Sequence, residues 1–218
     1  MVKQIKSEER VSEFGEVNTS EEEVKAMLDL VETESRRFDS RFLEPACGDG
    51  SFLIEILNRK LLTLGKIYRH NQFEFEKNCI VIISSIYGVD ILRDNVLSAR
   101  EKLFAKTFSY YSNLFAKNKN DNFLKSVKYL LSKNIIYGNA LTLKDKDSKR
   151  SLIFSEWSLI NNKLKRRDFY LSDLLVCSDS DGPNLFSDFG NKVEIPSPIK
   201  TYPLINFDLI FEYAEENT

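Results

Sequence analysis

The chain has 218 residues, of which 42% are hydrophobic, 29% are charged and only five are proline, a balance that suits a folded domain of ordinary size and excludes fibrous and disordered classes. Its formal net charge of −2 gives no general attraction to polyanions, so an anionic partner has to be held by local groups. Three cysteines, an odd number behind a first segment with no apolar signal stretch, point to a reducing compartment, the cytoplasm, rather than a disulfide framework, and the longest apolar run, Cys79–Ile83, is too short to span a membrane.

Ser20-Glu21-Glu22-Glu23 followed by Val24, Met27, Leu28 and Val31 predicts an N-capped helix, because Ser20 and Glu23 have capping-box spacing and the apolar residues recur at helical spacing. Arg41–Glu44 reads as a short strand. It is ended by Pro45-Ala46-Cys47-Gly48-Asp49-Gly50, where proline and two glycines impose turn geometry. Ser51 opens a helix with Leu53, Ile56, Leu57, Leu61 and Leu64 on one face. Residues 66–84 suit a helix through Phe73, Phe75 and Glu76 and a strand through Ile80–Ile83; helix is the reading adopted.

Ile86–Asp90 is a strand with an acid at its end, and Asn95–Phe115 a helix with Leu97, Leu103, Phe104, Phe108 and Tyr111 inward. A further helix covers about 121–132, and Ile135–Leu141 repeats a strand running into Gly138-Asn139. A weaker strand is expected over Ser151–Ser155. Beyond Asn161 the periodicity decays, and Phe207–Phe211 is the one convincing strand in a segment broken by Pro183, Pro196, Pro198 and Pro203. Strands separated by helices predict an α/β fold with a mainly parallel sheet covered by helices on both faces. Residues 1–160 would form the main domain and 161–218 an irregular C-terminal extension.

Charge alternates along this scheme. Residues 1–35 carry ten acids against four bases, 99–134 eight bases against two acids, 144–167 eight bases against three acids, and 168–218 ten acids against two bases. Such blocks serve either as solvated faces or as local contacts for phosphates.

The residues with chemistry gather at strand ends. Glu44-Pro45-Ala46-Cys47-Gly48-Asp49-Gly50 follows the first strand and precedes a helix, the place where open α/β sheets bind ligands. Glycine at 48 and 50 lets backbone N–H groups approach a carboxylate or ribose beside a helix amino terminus. With no glycine at 53 the dinucleotide pattern GxGxxG is not met. Asp90, at the tip of the next strand, can accept hydrogen bonds from two ribose hydroxyls, and Asn139 after Gly138 can meet an adenine amino group or simply make a turn.

Taken in this order, the motifs resemble those of the N6-adenine DNA methyltransferases of bacterial restriction-modification systems. Leu43–Phe52 resembles the family's cofactor loop, Tyr87–Ile91 its acidic second-strand motif, and Gly138-Asn139 the close of its third strand. Phe14-Gly15-Glu16-Val17-Asn18-Thr19 resembles the upstream segment that lines the methionine end of the cofactor, with Ser20 in place of a proline. The resemblance covers roughly residues 10–143 and implies a Rossmann-like fold that binds S-adenosyl-L-methionine. The implied contacts are Thr19, Glu44, Pro45, Ala46, Cys47, Gly48, Gly50, Asp90, Ile91, Asn139 and Ala140.

The family's Asp/Asn-Pro-Pro-Tyr/Phe tetrad, which holds an extruded adenine, has no counterpart, because the chain has no Pro-Pro pair. Its place could be taken by Ser155-Glu156-Trp157 after Leu152–Phe154, or by Asp208, Glu212 and Tyr213 around the Phe207–Phe211 strand. His70 and the dispersed Cys47, Cys79 and Cys177 suggest neither a nucleophilic site nor a metal site. Lys163, Lys165, Arg166 and Arg167, with Phe169 and Tyr170, are either phosphate contacts or a solvated loop.

Three functions follow: an adenine methyltransferase acting on DNA with a divergent catalytic motif, a non-catalytic cofactor-binding subunit completed by a partner chain, or a methyltransferase with another substrate. The residues after the cofactor motifs leave little room for target recognition, so sequence specificity is expected either to come from a partner chain or to be absent.

Overall fold

Three short strands rich in Phe, Leu, Ile, Val and Tyr lie at the centre of the molecule. In the computed structural model, which describes residues 8–14, 19–176 and 196–217, β1 (Phe42–Glu44), β2 (Ile86–Asp90) and β3 (Ile135–Tyr137) form a parallel sheet in the order β1-β2-β3. Leu43 pairs with Tyr87 and Val89 with Ile136. All five residues of β2 are buried, as a central parallel strand requires. The α/β class expected from the sequence is thus observed.

Before β1 come α1 (Glu8–Phe14), α2 (Glu21–Asp29) and α3 (Glu32–Arg36). The predicted capping box starts α2: the Ser20 hydroxyl accepts from the Glu23 N–H at 3.3 Å, and the Glu23 carboxylate accepts from the Ser20 N–H at 3.0 Å. Val24 and Leu28 are buried, whereas Met27 and Val31 face solvent. After β1, α4 (Ser51–Tyr68) buries all five expected residues, Leu53 to Leu64. The ambiguous stretch forms α5 (Gln72–Ser84), capped by the Asn71 side chain. Its β-branched run tolerates a helix because Ile80, Ile82 and Ile83 are all fully buried, and such contacts outweigh a weak propensity.

The inward face of α6 (Arg93–Phe115) differs from expectation. Leu103 and Tyr111 are buried, but Leu97 and Phe108 are exposed, and the interior positions are Val96, Ala99 and Thr107. Helix α7 (Asp121–Asn134), capped by Asn120, runs straight into β3. A buried polar network fixes this turn. Tyr111 donates to Glu76 at 2.5 Å, Asn120 donates to the other Glu76 oxygen at 2.8 Å, and Gln72 donates to Tyr111 at 2.8 Å.

The remaining strands correct the expectation of one mainly parallel sheet. β4 (Ile153–Ile160), β5 (Lys163–Tyr170), β6 (Lys200–Thr201) and β7 (Ile205–Asn206) make a separate antiparallel sheet, with α8 (Leu171–Val176) after β5. The expected weak strand at Ser151–Ser155 is the start of β4. The chain past Asn161 is not irregular at first, since Asn161 and Asn162 form the turn of the β4–β5 hairpin and Ile160 pairs with Lys163 across it. Phe207–Phe211 is not a strand: pairing ends at Asn206 and a 3-10 helix (Ile210–Asn217) follows.

Charged side chains can face inward here because they satisfy one another. Arg166 donates from two nitrogens to Asp168 at 2.8 and 2.7 Å, and to the Tyr129 hydroxyl at 2.5 Å. Ser155 and Tyr202 donate to the same carboxylate at 2.8 and 3.2 Å, so the buried pair is hydrogen-bonded on both sides. The two sheets meet where the Tyr87 hydroxyl donates to the Ser155 carbonyl at 3.0 Å and its ring packs edge-on against Phe154.

Candidate functional site

The loop from Glu44 to Gly50 turns from β1 into α4 with both glycines in the left-handed region, Gly48 at φ +53° and Gly50 at φ +93°, where L side chains are strained. The two have different surroundings. A Cβ on Gly48 would meet nothing within 4 Å, so its backbone faces open space, whereas a Cβ on Gly50 would lie 3.1 Å from the Cβ of Ala99, and its absence lets α6 pack close. The Cys47 N–H donates to the Val89 carbonyl at 2.9 Å and the Gly50 N–H to the Cys47 carbonyl at 2.9 Å.

Cys47 points inward. A Cβ on Gly88 of β2 would sit 3.0 Å from its sulfur, so the thiol fills the space that glycine leaves. Burial, reinforced by nearby Asp90 and Glu44, pushes the thiol well above its ordinary range, which makes it a packing group and not a nucleophile. Glu44 is half-buried, and desolvation raises its carboxyl above the ordinary value against an opposing backbone hydrogen bond from Ala46. Pro45 and Ala46 are exposed.

Asp90 is 7% exposed and ties the strand ends together. One carboxylate oxygen accepts from the Gly48 N–H at 2.8 Å; the other accepts from the Leu92 N–H at 2.8 Å and from Asn95 at 3.3 Å. A carboxylate has about four acceptor positions, so these contacts leave room for one more donor. The Asp90 carbonyl accepts from the Gly138 N–H at 2.9 Å. Loop 44–50, Asp90 with half-buried Ile91, and Gly138-Asn139 with half-buried Ala140 therefore converge at the carboxyl end of the parallel sheet.

Asn139 is also engaged, its side-chain oxygen accepting from the N–H groups of Leu141 and Thr142 at 2.8 and 3.1 Å in an Asx turn. Thr19 is half-buried ahead of the capping box, while Gly15–Asn18 of the same expected segment lie outside the described residues. Sequence reasoning missed two residues at this end. Arg10 of α1 pairs with Asp94 at 2.7 Å and donates to Asn95 at 3.4 Å, and Asn95 in turn holds Asp90. Asn95, five residues past Asp90 at the start of a helix, had a usable signal; Arg10, 84 residues from its partner Asp94, had none.

The candidate catalytic residues do not join this site through any described hydrogen bond. Ser155, Glu156 and Trp157 are all buried in β4. The Ser155 hydroxyl is bonded to Asp168 and Arg166, Glu156 accepts from Arg167 at 2.7 Å and Arg41 at 3.3 Å, and Trp157 donates to Asn134 at 2.8 Å. The Trp157 ring packs against Tyr129 and the Arg166 guanidinium, so it offers no free face to a base. The Tyr213 hydroxyl is spent on the carbonyls of Leu164 and Pro203, and Asp208 is half-buried. Lys163, Lys165, Arg166 and Arg167 lie on strand β5, not in a loop.

No known protein family, curated protein or solved structure matches this chain.

Proposed function

We propose that this chain binds S-adenosyl-L-methionine at the carboxyl end of its parallel sheet, in a Rossmann-like methyltransferase fold resembling the N6-adenine DNA methylases of restriction-modification systems. The observation that carries the reading is the junction of Gly48, Asp90 and Gly138, in which an open glycine backbone, a strand-end carboxylate and the end of the third strand meet within hydrogen-bond reach. The group fits these residues: the backbone at Gly48 faces open space, and Asp90 keeps one acceptor position for a hydroxyl. Loop 44–50 and the start of α4 would hold the cofactor carboxylate, Asp90 and Ile91 its ribose, Asn139 and Ala140 its adenine, and Thr19 its methionine end. When bound, the cofactor supplies a methyl group activated on a sulfonium. DNA is the substrate that the resemblance implies, and free thiols at Cys47 and Cys79 suit the reducing cytoplasm. Among the described residues no helix is long and apolar enough to cross a membrane.

A specific observation favours a second reading, that of a cofactor-binding subunit completed by another chain. Ser155, Glu156 and Trp157 are consumed by internal pairs, and catalysis on an extruded base needs acceptors for its amine and an aromatic face. Equilibrium dialysis with methyl-labelled cofactor tests binding, and transfer of the label to mixed-sequence DNA tests catalysis. Retention without transfer, with transfer restored by a partner chain, is the expected pattern. No retention at millimolar cofactor overturns the binding reading, and robust transfer by the chain alone overturns the second.

A further inference from the structure

Helix α1 is seven residues long, Glu8–Phe14, too short to hold its shape in water without support. Among the described residues, Arg10 makes every hydrogen bond that ties α1 to the rest of the molecule. It donates to both oxygens of Asp94, at 2.7 and 3.3 Å, and to the Asn95 side-chain oxygen at 3.4 Å. Asp94 and Asn95 are consecutive residues in the first turn of α6. Asn95 is 1% exposed, and its amide nitrogen donates at 3.3 Å to the Asp90 oxygen that also accepts from the Leu92 N–H. A guanidinium has five donors and no acceptor, so the amide can face it only through oxygen, which commits the nitrogen to Asp90. The other Asp90 oxygen accepts from the Gly48 N–H. A continuous line of hydrogen bonds therefore runs from the first helix to the glycine loop.

We propose that Arg10 is a positioning residue for the Asp90 site: docking of α1 on the start of α6 orients the Asn95 amide, and through it the Asp90 acceptor position to which a ribose hydroxyl donates. The inference rests on the reading of these strand ends as a cofactor site. Docked helix and released coil are two states of one segment, and both the Arg10 contacts and a ligand on Asp90 bias their balance. Such coupling is reciprocal. If docked α1 strengthens ligand binding, the ligand must strengthen docking by the same factor. That reciprocity separates positioning from plain support, because a helix that only stabilises the fold gains nothing when the site fills.

The test combines equilibrium dialysis of methyl-labelled S-adenosyl-L-methionine, on the whole chain and on Arg10→Met, with hydrogen exchange of the α1 amides with and without saturating cofactor. Arg10→Met keeps an unbranched apolar stem and removes the donors. It is expected to weaken retention at least about fivefold, the lower end of ordinary coupling between sites, while the protein still melts cooperatively. Arg10→Lys keeps the charge but loses the planar fork, so its affinity should fall between the two. In the natural chain, cofactor is expected to slow exchange in α1. Unchanged affinity in Arg10→Met overturns the inference, even with a lowered melting temperature, because the helix then serves stability alone. Exchange in α1 that is indifferent to cofactor also overturns it, and this arm needs no variant to fold. No retention by the natural chain at millimolar cofactor overturns the cofactor reading itself, and this inference with it.

Discussion

Two glycines two positions apart do different work, and substitution separates them. Gly48→Ala places a side chain in open space, so its cost is the left-handed conformation alone, about 1–2 kcal/mol. Gly50→Ala adds a contact with Ala99 at 3.1 Å and should destabilise more, and denaturant midpoints of the two variants measure the difference. Lys60 gives a second residue-level prediction. It is fully buried on α4, with its amine donating to the carbonyls of Phe38 and Ser40 and to the Ser85 hydroxyl. Burial lowers it to about 7 from the ordinary 10.5. Between those values the unfolded chain binds more protons than the folded one, so Lys60 makes stability rise with pH across that window, by at most about 1.4 kcal/mol per unit. Below about pH 7 the amine is charged in both states and contributes no slope. Comparing unfolding at pH 7.5 and 9.5 in the natural chain and in Lys60→Met should show a rise that the variant lacks; equal slopes would contradict it.

At the scale of elements, the β4–β5 hairpin depends on a buried ion pair. Asp168→Ala leaves the Arg166 guanidinium without its counter-charge and should cost about 3–5 kcal/mol. Glu156→Gln and Trp157→Phe should lower the melting temperature while leaving cofactor affinity unchanged, because their partners are Arg41, Arg167 and Asn134. A loss of affinity without a loss of stability would return these residues to the site. The same hairpin marks the limit of what the sequence discloses. β1, β2, α2 and α4 were legible because Pro45, Gly48, Gly50 and Ser20 punctuate them and their apolar spacing is regular. In β5 the inward positions are Leu164, Arg166 and Asp168. Two of the three are charged, so the hydrophobic alternation that signals a strand is missing. In α6, Thr107 lies inside while Phe108 lies outside, and counting apolar residues places the face one position off. The strand ends that Gly48, Asp90 and Gly138 occupy were visible in the chain, and Asn95 lies near enough to Asp90 to carry a signal; Arg10, 84 residues from Asp94, needed the fold.

For the whole molecule, a net charge of −2 hides acidic ends and a basic middle, and the fold brings part of that middle back to the glycine loop, where Lys102 of α6 pairs with Asp49 at 2.5 Å. S-adenosyl-L-methionine is proposed to bind at the strand ends around Gly48 and Asp90. Calorimetric titration of the chain tests it most directly. Saturable one-site binding is expected, competed by S-adenosylhomocysteine and abolished in Gly48→Val, whose branched side chain enters the open space above the loop while the protein still melts cooperatively. No heat with cofactor at millimolar concentration, or the same affinity in Gly48→Val, would contradict it.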